Sequence, residues 1–108
     1  MQVNIYRGDT PLLQFTLKKS DGTVLALTGA KVYFAARRND GLTADIDAEC
    51  TILTPATAGR AEIRLTTTHT ATAGAYIAEV EVRFTGPPLL IYTATQFTLN
   101  ILDDVRKG

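Results

Sequence analysis

The stretch Thr72 to Phe84, TAGAYIAEVEVRF, decides the fold class of this chain. After Gly74 it alternates without a break. Tyr76, Ala78, Val80, Val82 and Phe84 share one parity, and Ile77, Glu79, Glu81 and Arg83 share the other. Successive side chains of a β-strand point to opposite faces of the sheet, so one apolar and one mainly charged parity predicts a half-buried strand. The first set is assigned to the core and the second to an outer face.

The same period recurs on both sides of this stretch. Val3 and Ile5 alternate within 2–6, and Leu13, Phe15 and Leu17 alternate with Gln14, Thr16 and Lys18. Arg7-Gly8-Asp9-Thr10-Pro11 separates these two runs, and Ser20-Asp21-Gly22 ends the second with a dipeptide that suits tight hairpins. A short strand is expected over 24–27. In 31–38, Val32, Phe34 and Ala36 are inward while Tyr33, Ala35 and Arg37 face out. Ile46, Ala48, Cys50 and Ile52 form the next inner set, followed by Ala61, Ile63 and Leu65. Asn39-Asp40-Gly41, 55–59 and Gly86-Pro87-Pro88 read as turns. Phe97, Leu99 and Ile101 line one face of a last strand over 90–102. Helical periodicity with caps is not seen. Seven or eight short strands with Gly, Pro and Asp turns predict an immunoglobulin-like antiparallel β-sandwich over residues 1–102, with a charged tail at 103–108.

Tyr76 adds to this expectation. A tyrosine at the start of a late strand, after the threonine-rich connection 66–72 and Gly74, resembles the tyrosine corner of Greek-key sandwiches, whose hydroxyl bonds to the backbone a few residues upstream. Antibody-type domains have a cysteine two residues later; here that residue is Ala78, and the chain has no tryptophan.

Composition bounds the function. The chain has 108 residues, enough for one domain and one core. Eleven basic and eleven acidic residues give a formal net charge of zero, without the basic excess on which phosphate neutralisation by nucleic-acid binders rests. Cys50 is the sole cysteine, so no intrachain disulfide can form. The N-terminal residues do not pattern as a signal peptide, and no apolar run is long enough to span a bilayer. The expectation is a soluble protein made in the cytoplasm, binding neither nucleic acid nor membrane.

Candidate chemistry reduces to structure on inspection. Arg7-Gly8-Asp9 spells an integrin-binding tripeptide, but it reads as a turn in which Gly8 takes a demanding backbone angle and Asp9 caps nearby amides. Asp45, Asp47 and Glu49 share a strand face, whereas calcium wants six to eight oxygens wrapped around it, so they read as the charged face of an edge strand. Glu79 and Glu81 lie about 7 Å apart on one face and cannot flank a substrate from opposite sides, as glycosidase carboxylates must. Cross-strand ion pairs with Arg37 or Lys31 are expected for them. His69 reads as a surface histidine and Cys50 as a small buried hydrophobe. No catalytic set, metal site or cofactor is expected.

Two segments, IYRGDTPLLQFTLKKSDGTVLALTGAKVYFAAR (5–37) and GRAEIRLTTTHTATAGAYIAEVEVRFTGPPLLIYTATQFTLNI (59–101), together cover most of the chain. They resemble the N-terminal immunoglobulin-like domain of tailed-phage baseplate upper proteins and related small phage tail proteins. The shared features are the Arg-Gly-Asp-Thr turn, the Asp-Gly hairpin, the Leu-Thr-Gly step and the glycine-tyrosine strand. The resemblance implies a non-enzymatic component of a virion or prophage, made in the bacterial cytoplasm, that docks to other phage structural proteins. It carries over no catalytic residues.

Leu12, Tyr33, Ile77, Leu89, Leu90 and Tyr92 fall on the outward parity or in loops. Tyr33, Ile77 and Tyr92 are expected to cluster on one sheet as an intersubunit contact of a homo-oligomer. The alternative is a carbohydrate- or ligand-binding module in which Tyr33 and Tyr92 make a stacking platform.

Overall fold

Alternating apolar residues that cannot all be buried by a flat sheet bury themselves when the sheet curls over its own inner face, and this chain folds that way. The computed structural model describes residues 2–38, 41, 44–85 and 89–103. Seven strands occur among them: β1 (Gln2–Tyr6), β2 (Leu12–Thr16), β3 (Ala30–Arg38), β4 (Ile46–Ile52), β5 (Arg60–Arg64), β6 (Gly74–Phe84) and β7 (Leu90–Leu102). A 3-10 turn, Ala56–Ala58, precedes β5. The strands form one sheet in the order β1-β7-β6-β3-β4-β5-β2.

Strand β6, from the stretch 72–84, sits inside this order. β6 pairs antiparallel with β3 from Ala30↔Phe84 to Arg38↔Tyr76, and with β7 along its other side. Strand β4 changes neighbours along its length: Ile46–Cys50 pair with β3, and Thr51 and Ile52 pair with Glu62 and Ala61 of β5. This hand-over turns the β5–β2 end back across the sheet. The Phe15 ring of β2 consequently lies 6.3 Å from Phe34 of β3 and 6.1 Å from Phe97 of β7. These three rings form the middle of the core, with Val32, Ala36, Ile46, Ala61, Leu65, Tyr76, Ala78, Val80, Val82 and Leu99 buried around them.

The fold is all-β, but the strands are not antiparallel throughout. β1 lies parallel to β7, from Gln2↔Thr98 to Tyr6↔Leu102. Both strands run toward the same end of the sheet, where the Arg7 N–H donates to the Leu102 carbonyl at 2.8 Å. Alternation sets which side chains are buried and is blind to strand direction, so the parallel placement of β1 is not written in it.

Residues 24–27 do not form the expected strand. Only the bridge Lys18↔Val24 is made, and Leu27 is buried from a loop whose N–H donates to the Ala56 carbonyl at 2.9 Å. The Asp-Gly hairpin does form. Asp21 Oδ1 accepts from the Thr23 hydroxyl at 2.6 Å and the Thr23 N–H at 3.0 Å, and these bonds hold the carboxyl pKa below its ordinary value. The Gly86-Pro87-Pro88 turn, residues 39 and 40 of the other expected turn, and residues 104–108 of the tail lie outside the described residues.

Gly59 is buried with φ +69°, and a Cβ built there would meet Val24 Cγ1 at 2.6 Å and the Leu25 carbonyl oxygen at 2.7 Å. The close approach of the 24–25 segment to Gly59, just before β5, therefore depends on the absence of a side chain.

Candidate functional site

The outer face of the sheet is laid out by strand register. Glu49, Tyr33, Glu81 and Thr93 form one row across β4, β3, β6 and β7, and Asp47, Ala35, Glu79 and Gln96 form the next. Arg37, Ile77 and Thr98 form a third. Tyr33 and Ile77 thus share a face but stand four residues apart along it, about 13 Å at the rise of a strand. Arg83 places its guanidinium carbon 5.5 Å from the Tyr33 ring centroid and binds the Glu81 carboxylate.

The ion pairing therefore differs from the expected one. Glu81 pairs with Arg83 two residues along its own strand, and Arg37 donates to the Gly41 carbonyl at 2.9 Å. Register explains this: Lys31 lies opposite Arg83, Arg37 lies opposite Ile77, and neither faces a glutamate across the β3–β6 ladder.

Tyr92 does not join Tyr33 and Ile77. A β-bulge interrupts the β6–β7 ladder, with Val80 opposite Thr95 but Glu81 opposite Thr93. One extra residue on β7, Ala94, reverses the parity of everything before it. Tyr92 therefore lies opposite the buried Val82, and its ring packs edge-on against Phe84 at 6.1 Å. Tyr33 and Tyr92 consequently point to opposite sides of the sheet and cannot make one stacking platform or one contact patch.

Around Tyr92 the inner face runs out of the core into solvent. On this face Leu90 is 44% exposed, Tyr92 47% and the neighbouring Val24 42%, while Ile91, opposite Arg83 on the outer face, is 49% exposed and Leu89 before the strand 57%. A cleft of about 370 Å³ is lined by Lys18, Lys19, Ser20, Leu25, Tyr92, Thr93 and Ala94. Together these side chains leave an exposed apolar surface beside the cleft.

At the other end of β6 a polar junction ties three segments together. Gly8 has φ +81° and donates its N–H to the Thr70 carbonyl at 3.0 Å. The Thr70 hydroxyl, with no exposure at all, donates to the Asp9 carbonyl at 2.8 Å. Two residues on, the Thr72 carbonyl accepts the Tyr76 hydroxyl at 2.7 Å. Gly74, at φ +154°, opens β6 with the Tyr76 ring 3.8 Å from where its Cβ would stand. The structure thus brings Gly8, Asp9, Gly74 and Tyr76 together about the 66–72 connection. The Arg-Gly-Asp turn is packed into this junction, and Asp9 contributes its main-chain N–H to Tyr6 and its carbonyl to Thr70.

Thr70, the hub, is not distinguishable in sequence from the threonines beside it. His69 is half-buried rather than on the open surface; its Nδ1 accepts the Thr66 N–H at 3.1 Å. Cys50 is buried, and loss of water contact, with a smaller contribution from Glu49, pushes its thiol pKa up to about 11. Among the described residues no group of three or more His, Cys, Asp or Glu is placed to hold a metal ion, and no helix is long and apolar enough to cross a membrane. No family model matches this chain, nor does any curated protein.

Proposed function

We propose that this chain is a non-catalytic assembly module of a phage or prophage tail or baseplate, built as an immunoglobulin-like β-sandwich and acting through protein–protein contacts. One observation carries the reading: Leu90 and Tyr92, with Val24 and the half-buried Phe84, continue the core out to the surface, and Ile91 and Leu89 beside them are exposed as well. Exposed apolar surface continuous with a core costs solubility unless a partner covers it. The curled sheet and the hydroxyl bond from Tyr76 to Thr72 support the sandwich assignment. The partners are other structural proteins of the particle and further copies of this chain, and the site of action is the virion.

Mass spectrometry of purified particles from the source strain tests this directly. The protein is expected among the structural components, and a Leu90→Asp variant that keeps its circular dichroism spectrum is expected to be left out. Particles that lack the wild-type protein refute the reading. The cleft beside Tyr92 supports a ligand-binding module as the second reading, and saturable glycan binding abolished by Tyr92→Ala would favour it.

A further inference from the structure

The sheet has free edges, and they are not alike. On the side of β4 away from β3, Ile46–Cys50 find no strand partner among the described residues, and this segment carries Asp47 and Glu49, with Asp45 just before it. Charges on an unpaired edge discourage another strand from adding to it. On β7, β1 covers only Thr98–Leu102, so Leu90–Phe97 pair with β6 alone among the described residues. No charged residue occurs between Arg83 and Asp103. This edge is β-prone, uncharged and, over Leu90–Tyr92, apolar, a combination that invites strand addition.

We propose that this edge pairs with the same edge of a second copy, antiparallel, about a two-fold axis passing at Ile91. Three features select a second copy as the occupant. Two-fold pairing of identical strands sets each residue against a residue of the same short segment, so any charge would face a like charge or lie close to one; this segment has none. With Ile91 on the axis, Leu90 of each copy faces Tyr92 of the other, an aliphatic–aromatic cross-strand pair repeated twice, and Leu89 faces Thr93. The bulge at Ala94 ends the regular segment, so Leu90–Thr93 form an unbroken run against Glu81–Phe84 of β6, with Ile91 inside it. The formal net charge of zero adds no long-range repulsion between copies. This pairing gives the proposed assembly module its self-contact and rests on that reading only for its biological setting.

Sedimentation equilibrium of the full chain tests it independently of any particle. The wild type is expected to show a concentration-dependent dimer. Ile91→Lys and Ile91→Glu are each expected to lose the dimer, because two like charges meet on the axis, and an equimolar mixture of the two is expected to restore it as a heterodimer. Amide hydrogen exchange on the wild type gives a second measurement that needs no variant: protection of 90–93 is expected to rise with protein concentration. A wild type that stays monomeric at all concentrations, a dimer that survives both substitutions, or exchange at 90–93 that ignores concentration would each overturn the pairing. Particle incorporation without dimerisation would overturn this inference and leave the proposed function standing.

Discussion

Replacing Thr70 by valine removes one hydroxyl from a side chain of almost unchanged shape. In the native state that hydroxyl donates to the Asp9 carbonyl at 2.8 Å from a position with no solvent exposure. Valine keeps the packing and the main-chain bond that Thr70 accepts from Gly8. The loss is therefore the bond to Asp9, about 1 kcal/mol net, with a longer, weaker contact to the Thr66 carbonyl at 3.4 Å, plus the penalty of leaving a carbonyl without its donor. Asp9 is only half-buried, so water recovers part of the penalty, and the expected total is about 1–2 kcal/mol. For a domain of this size each kcal/mol lowers the melting temperature by about 4 °C or more. Urea titration followed by circular dichroism measures the change, with an unaltered slope showing that the denatured state is the same. Thr67→Val, on the exposed side of the same connection, is the control and should shift stability by less than about 0.5 kcal/mol. If Thr70→Val is indistinguishable from that control, the Gly8–Asp9–Thr70 junction does not hold the turn to the sheet.

Three further outcomes follow from the same structure. Tyr76→Phe is expected to cost about 1 kcal/mol through loss of its bond to the Thr72 carbonyl, and an unchanged unfolding midpoint would count against the corner. Gly59→Ala should destabilise by about 1–3 kcal/mol from the backbone angle alone, and by more from contact with Val24 and Leu25; a neutral result by thermal melting would show that this approach is not tight. Cys50, with its pKa raised to about 11, should resist alkylation at pH 8 in the folded protein and react at the ordinary rate in urea, whereas rapid native labelling would contradict its burial.

Much of this fold is legible in the chain because burial follows parity. Val32, Phe34 and Ala36, or Tyr76, Ala78, Val80 and Val82, are inward by alternation and are buried in the structure. The misplacement of Tyr92 has an equally local cause: a single inserted residue in β7 moves it to the other face, and nothing in LIYTATQF signals the insertion. The 24–27 segment, apolar and β-prone, is held as a loop by tertiary packing against Gly59 and Ala56.

The period-two pattern, hence an all-β chain with a known inner set, and the turn chemistry at Gly8 and Asp21-Gly22 are written in the residues themselves. The remainder came from long-range packing. The parallel placement of β1, the curl at β4, the partner of Glu81, the hub role of Thr70 and the unguarded edge of β7 all depend on which strands become neighbours. Neighbourhood is set by long-range burial summed over the whole chain, and alternation within a strand carries no record of it.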